Sequence, residues 1–112
     1  QAAALAPREP LILGGLGRAQ LAAGDARGAL NTLEKARARD FRDPRVLRDL
    51  AVAHAQTGNN GMASLLTAER YALLGNLKDA HLHATRAQGL LPRGSGPWRR
   101  AQDVLDAAKR LR

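Results

Sequence analysis

A segment that occurs twice constrains this chain more than any other feature. Residues 8–25, REPLILGGLGRAQLAAGD, lie over residues 42–59, RDPRVLRDLAVAHAQTGN. In that register Arg8 meets Arg42, Glu9 meets Asp43 and Pro10 meets Pro44. Ile12 then pairs with Val46, Leu13 with Leu47, Leu16 with Leu50, Ala19 with Ala53 and Gly24 with Gly58. Apolar positions and punctuation recur together, with a period of about 34 residues. A single amphipathic hairpin of this length cannot bury its apolar face, so such units have to stack.

The punctuation divides the chain into helices. Gly24–Asp25, Gly58–Asn59 and Gly75–Asn76 each put a glycine where a helix ends in the left-handed conformation. The Asp or Asn that follows has a side-chain oxygen able to cap the next helix. Glu9–Pro10 and Asp43–Pro44 place proline at a first helical position, where its missing N–H costs nothing. Ser95 before Pro97 starts a last helix in the same way. These signals predict helices near 10–23, 26–39, 44–57, 60–74, 77–90 and 96–111, joined by short turns that make neighbours antiparallel. Apolar stripes are expected from Leu13, Leu16, Ala19 and Ala23 on the first helix, and from Ala29, Leu33 and Ala36 on the second. On the fifth, the stripe is Leu77, Ala80, Ala84, Ala87 and Leu91; on the sixth, Trp98, Ala101, Leu105 and Ala108.

Composition agrees. Phe41, Tyr71 and Trp98 are the three aromatic residues, so the core has to be built from Leu and Ala, both strong helix formers. No long β-branched or alternating run argues for strands. Cysteine is absent, which excludes disulfides and thiolate metal sites. No apolar run approaches the roughly 20 residues of a membrane span. The chain begins with Gln rather than Met and is expected to be a piece of something longer.

The period, the Leu16–Gly17 step, Gly24, Ala29, Leu33 and Ala36 resemble the tetratricopeptide pattern. Leu47, Leu50, Gly58 and Ala63 continue it. A further copy runs from Met62 to Pro92, with Tyr71, Gly75, Ala80, Ala87 and Pro92 at the family's positions. Its glycine, Gly75, follows Gly58 by only half a period. The expected fold is therefore all-α, with antiparallel helical hairpins stacked as a tetratricopeptide solenoid of about six helices. Residues 1–7 would be the tail of a preceding repeat, 8–41 a repeat, 42–60 the first helix of the next, 61–92 a half-shifted repeat, and 95–112 a terminal capping helix. The second half, with Gly61–Met62–Ala63 and a Gly94–Ser95–Gly96–Pro97–Trp98 approach to the last helix, is similar to the carboxyl-terminal end of bacterial periplasmic zinc metalloproteases of the BepA (YfgC) type. That resemblance implies a periplasmic location and a zinc-bearing protease domain upstream. It also implies a tail that engages substrate or outer-membrane assembly partners.

The chain's own residues offer no catalytic constellation. A zincin needs His-Glu-x-x-His, which does not occur. His81 and His83 are two apart, about 200° around a helix, and are poorly placed to grip one ion together. His54 stands alone. Gly14, Gly15 and Gly17 lie in a helical stretch and read as close-packing positions rather than a phosphate loop. Ser64 and Ser95 read as surface and cap. No cofactor is expected in these residues; zinc would belong to the protease domain.

Recognition remains. In the tetratricopeptide family the first helix of each repeat lines a concave groove. Carried across residue by residue, the groove positions are Leu11, Gly14, Arg18, Leu21 and Ala22, then Arg45, Arg48, Val52, Ala55 and Gln56. In the half-shifted repeat they are Met62, Leu65, Glu69 and Ala72. Arg18, Arg45 and Arg48, with Leu21, Val52, Gln56 and Glu69, are the residues expected to meet a protein or peptide. Arginine forks suit carboxylates and peptide carbonyls. Gly14 and Val52 replace two members of the Lys/Asn carboxylate clamp of chaperone-tail-binding relatives, which argues against capture of a free carboxyl terminus in that manner. A net charge of +8, from fifteen Arg and three Lys against ten acids, raises a second reading, a regulatory scaffold whose basic face meets nucleic acid or anionic lipid. The basic residues are spread along the chain among acids, which weighs against it. A monomer or weak oligomer is expected, with self-association through an apolar end at Gln1–Ala6 as an effect of cutting the array.

Overall fold

The structure, a computed structural model, describes residues 9–110. These form six helices: α1 Glu9–Ala22, α2 Ala26–Arg39, α3 Pro44–Gln56, α4 Asn60–Leu73, α5 Leu77–Leu90 and α6 Gly96–Arg110, with no strand among the described residues. The tail expected at 1–7, the Arg8 pairing, the apolar end at Gln1–Ala6 and the Leu11 side chain lie outside what is described.

Three of the turns are built alike. Gly24, Gly58 and Gly75 have φ of +85°, +84° and +82°, and the residue after each returns its N–H to a carbonyl five positions back. These bonds are Asp25 N to Gln20 O at 2.8 Å, Asn59 N to His54 O at 2.8 Å and Asn76 N to Tyr71 O at 2.9 Å. The same Asp or Asn then caps the next helix: Asp25 accepts from Gly28 N, Asn59 from Met62 N and Asn76 from Asp79 N. One dipeptide thus closes one helix and opens another. Asp43 caps α3 by accepting from Arg45 N at 2.9 Å, with Pro44 at the first helical position. Ser95 accepts from Trp98 N at 3.3 Å and starts α6.

Consecutive helices pack as antiparallel neighbours; beyond these pairs, α1 also packs on α3, and α4 on α6. The chain is therefore two three-helix units, α1–α3 and α4–α6, displaced by one and a half periods. Gly24 corresponds to Gly75 under that displacement, and the fully buried Ala29 and Ala36 correspond to Ala80 and Ala87, with Leu33 matched by Ala84. Each unit also has its own core. Ala29, Leu33, Ala36, Val46, Leu47, Leu50 and Ala53 form the first, and Ala68, Ala80, Ala84, Ala87, Leu91, Ala101 and Val104 belong to the second. The two cores meet on α4, where Leu66 joins the first, Leu65 the second, and Met62 packs against both. No residue of α4 from 61 to 73 is exposed. The stack measures 46 × 29 × 22 Å, and its radius of gyration of 14.5 Å exceeds the roughly 13 Å of a compact chain this size.

Two expectations need correcting. The stripe on α1 is not Leu13, Leu16, Ala19 and Ala23: Leu16 is 49% exposed, and Ala19 and Ala23 are exposed as well. The inward line is Leu13, Gly17 and Leu21, because a methyl at Gly17 would overlap the Leu33 side chain. Only the bare glycine lets α1 approach α2 so closely. Leu65, expected in the groove, is fully buried, because α4 has a helix on either side and spends that position on the second core.

One contact gives the fold a pH dependence. His54 Nε2 on α3 lies 3.7 Å from Glu34 Oε2 on α2. The imidazole contact draws the Glu34 carboxyl below its ordinary value, against burial that raises it, with Arg37 adding to the pull. A carboxyl depressed in the folded state stabilises the fold above its unfolded pKa of about 4.3, and that contribution disappears as pH falls through the folded value. Urea midpoints of the chain and of Glu34→Gln should therefore differ at pH 6 and converge as pH falls through the depressed folded value. A gap that persists in acid would assign the effect of the substitution to packing.

Candidate partner-binding site

The sequence-predicted arginines come together on one side of the first unit. Asp49 on α3 is 7% exposed and falls on the helix face that also carries Val46, Leu50 and Ala53. A buried carboxylate there needs cations. Its two oxygens take one each: Arg18 Nε from α1 lies 3.4 Å from Oδ2, and Arg48 Nε lies 3.4 Å from Oδ1. Both arginines stay about half exposed. Arg45 folds back on its own helix cap, with Nε 3.3 Å from Asp43 Oδ1 and Nη2 3.3 Å from Oδ2. Burial works to raise the Asp43 carboxyl, but hydrogen bonds from the side chain and backbone of Arg45 outweigh it and hold the group below its usual range.

Between α1 and α3, Arg18, Arg45, Asp43 and Asp49 line a cleft of about 120 Å³, with Gly14, Gly15 and Val46 supplying the rest of its wall. The two glycines strip the α1 side of side chains; a Cβ on Gly15 would meet nothing within 4 Å. Two guanidinium groups and two carboxylates line the cleft, and Arg48, against Asp49 but outside the lining, leaves the cluster one positive charge in excess. Each arginine is held at its Nε or by a fork, so little rotamer freedom remains to be lost when an anion binds. The cleft can accept a carboxylate or a peptide carbonyl.

The other predicted residues lie elsewhere. Val52, 41% exposed, borders a groove between α3 and α5, floored by Ala63, Ser64 and Thr67 and closed by His83 and Arg86. His83 stacks on Tyr71 with ring centroids 5.5 Å apart, while His81 borders a different hollow with Gln102 and Asp106. Gln56 sits beside the α1–α2 turn, next to Gly24 and Arg27. Leu21 is half-buried and packs against the first core. Glu69 is engaged inside the protein: Arg100 Nη2 and Nε on α6 donate to it at 2.6 and 3.1 Å, and Arg37 Nη2 on α2 stands 3.6 Å away. This carboxylate clamps α4 to α6 and to the first unit.

Sequence reasoning missed Asp49, the centre of the site, and its signal was present. An acid three residues after Val46 and four before Ala53 lies on a core-facing stripe, and such a group is retained only with partners close by. Compared with models of known protein families and with curated proteins, the chain matches none.

Proposed function

We propose that this chain is a protein-interaction module of tetratricopeptide type. In this reading it is the non-catalytic carboxyl-terminal domain of a periplasmic zinc metalloprotease of the BepA type, recruiting substrate or outer-membrane assembly partners. The observation that carries the recognition role is the buried Asp49 carboxylate holding Arg18 and Arg48 outward beside Arg45. A buried acid that fixes two exposed arginines adds a preset pair of donors to a surface otherwise made of small residues. The parentage is supported by the residues of the second half, Gly61–Met62–Ala63 and the Ser95–Gly96–Pro97–Trp98 approach to α6. It predicts His-Glu-x-x-His in the gene upstream of Gln1, and an upstream sequence without it removes the protease assignment.

The recognition role is tested with Arg45→Glu/Arg48→Glu. Both side chains are roughly half exposed, so the fold should survive, which circular dichroism checks. Affinity for an acidic model peptide should drop by tenfold or more, about 1.4 kcal/mol or above. Unchanged affinity would remove the cleft from the site. The same titration with duplex DNA or anionic vesicles separates out the basic-scaffold reading, which requires affinity that falls steeply with salt.

A further inference from the structure

The displacement of the second unit leaves a notch at the junction. In the first unit α2 packs on α1 and α3; in the second, α6 packs on α4 and α5. Between the end of α2 and the middle of α6 lies a hollow of about 310 Å³. Leu47, Ala72, Leu73 and Val104 form its apolar lining. Leu47 follows Arg45 by two positions, so it faces about 160° away from it on α3, and the notch is a surface separate from the arginine cleft.

Two features of its rim point to an occupant. Phe41, at the α2–α3 turn, is 67% exposed, the most exposed large apolar side chain among the described residues. Rim charge is positive. Arg37 stands 3.6 Å from Glu69 through Nη2 and keeps a buried Nε with no hydrogen-bond partner, and the Arg42 side chain has no ion pair among the described residues. Glu69 is the one acid in the lining, and Arg100 already takes both its oxygens. The Asp40 oxygen nearby accepts from the Arg42 backbone N–H.

We infer that this notch is a second docking surface, receiving an acidic segment of a partner protein that seats one large apolar side chain against Phe41 and Leu73. Its carboxylates then lie over Arg37 and Arg42. The hollow is at the lower edge of the roughly 300–1,000 Å³ of ligand pockets, which suits one or two side chains rather than a whole helix. This rests on the interaction-module reading but uses different residues, so the two surfaces can fail separately.

The test is a titration of the ¹⁵N-labelled chain with a short acidic peptide carrying one central phenylalanine. Two control peptides replace that phenylalanine by alanine, or the acids by lysine. Saturable amide shifts should centre on Phe41, Arg42, Leu73 and Val104. Phe41→Ala and Arg42→Glu, both on exposed residues, should each weaken binding about tenfold. Arg45→Glu/Arg48→Glu should leave the shifts at Phe41, Arg42, Leu73 and Val104 unchanged and remove any at Gly14, Arg18 and Val46. Saturable shifts at Gly14, Arg18 and Val46 with none at Phe41, Arg42, Leu73 or Val104 would overturn the inference, as would no saturable shift at millimolar peptide. Equal binding of either control peptide would overturn it too.

Discussion

Leu33→Ala should lower the unfolding free energy by about 3 kcal/mol, within the 2–5 typical of a buried leucine truncated to alanine. Leu33 is fully buried in the first core and covers the bare backbone of Gly17 on α1. Gly17→Ala should also destabilise, by about 1–2 kcal/mol net, because the added methyl overlaps Leu33. That overlap costs roughly 1–3 kcal/mol, while alanine in a helix recovers up to about 1. The two changes should not add. In Gly17→Ala/Leu33→Ala the overlap is gone and the new methyl fills part of the cavity, so the double variant should lie at least about 0.5 kcal/mol above the sum of the singles. Urea unfolding of the four proteins measures this cycle. Strict additivity would mean that the two residues are not in contact, and the close packing of α1 on α2 would be wrong.

That contact also marks where the sequence was legible and where it was not. Helix ends could be read because each is set locally: Gly24, Gly58 and Gly75 take positive φ, and the next residue's side-chain oxygen caps the following helix within three positions. The inward faces of α2 and α5 were legible for a similar reason. Ala29, Leu33 and Ala36, like Ala80, Ala84 and Ala87, are apolar against a polar remainder. α1 is apolar nearly all round, so periodicity could not choose between Leu13–Gly17–Leu21 and Leu16–Ala19–Ala23. Tertiary contact with Leu33 chose. α4 failed differently: with a helix on both sides it buries the adjacent Leu65 and Leu66 in different cores, a pattern no single stripe describes. In the site, the exposed arginines were visible by type and spacing. What orients them was not, because the Asp49 contact with Arg18 joins positions 31 apart in the chain.

The same spacing recurs with its polarity reversed. Glu69 on α4 and Arg100 on α6 are also 31 apart, and under the one-and-a-half-period displacement they correspond to Arg18 and Asp49, respectively. The first unit puts the cation on its first helix and the acid on its third; the second unit does the opposite. Glu69→Arg should therefore be costly. It removes the acid that contacts both Arg100 and Arg37 and places three guanidinium groups together. Breaking a fully buried pair costs roughly 3–5 kcal/mol, and partial exposure of this one brings the expected loss down to about 2 kcal/mol. The two side chains keep 19% and 32% of their exposure. Glu69→Arg/Arg100→Glu re-creates the polarity of the first unit and should recover about half of the loss. Recovery stays partial because Arg37, which approaches Glu69 from α2, would then face another arginine. Adding Arg37→Gln should close most of the remaining gap. If the reversed pair recovers nothing, the clamp depends on more than opposite charge across α4 and α6, and the two units differ in geometry as well as in sign. If it recovers everything, the Arg37 contact contributes nothing to joining the units, and α3 against α4 holds them together alone.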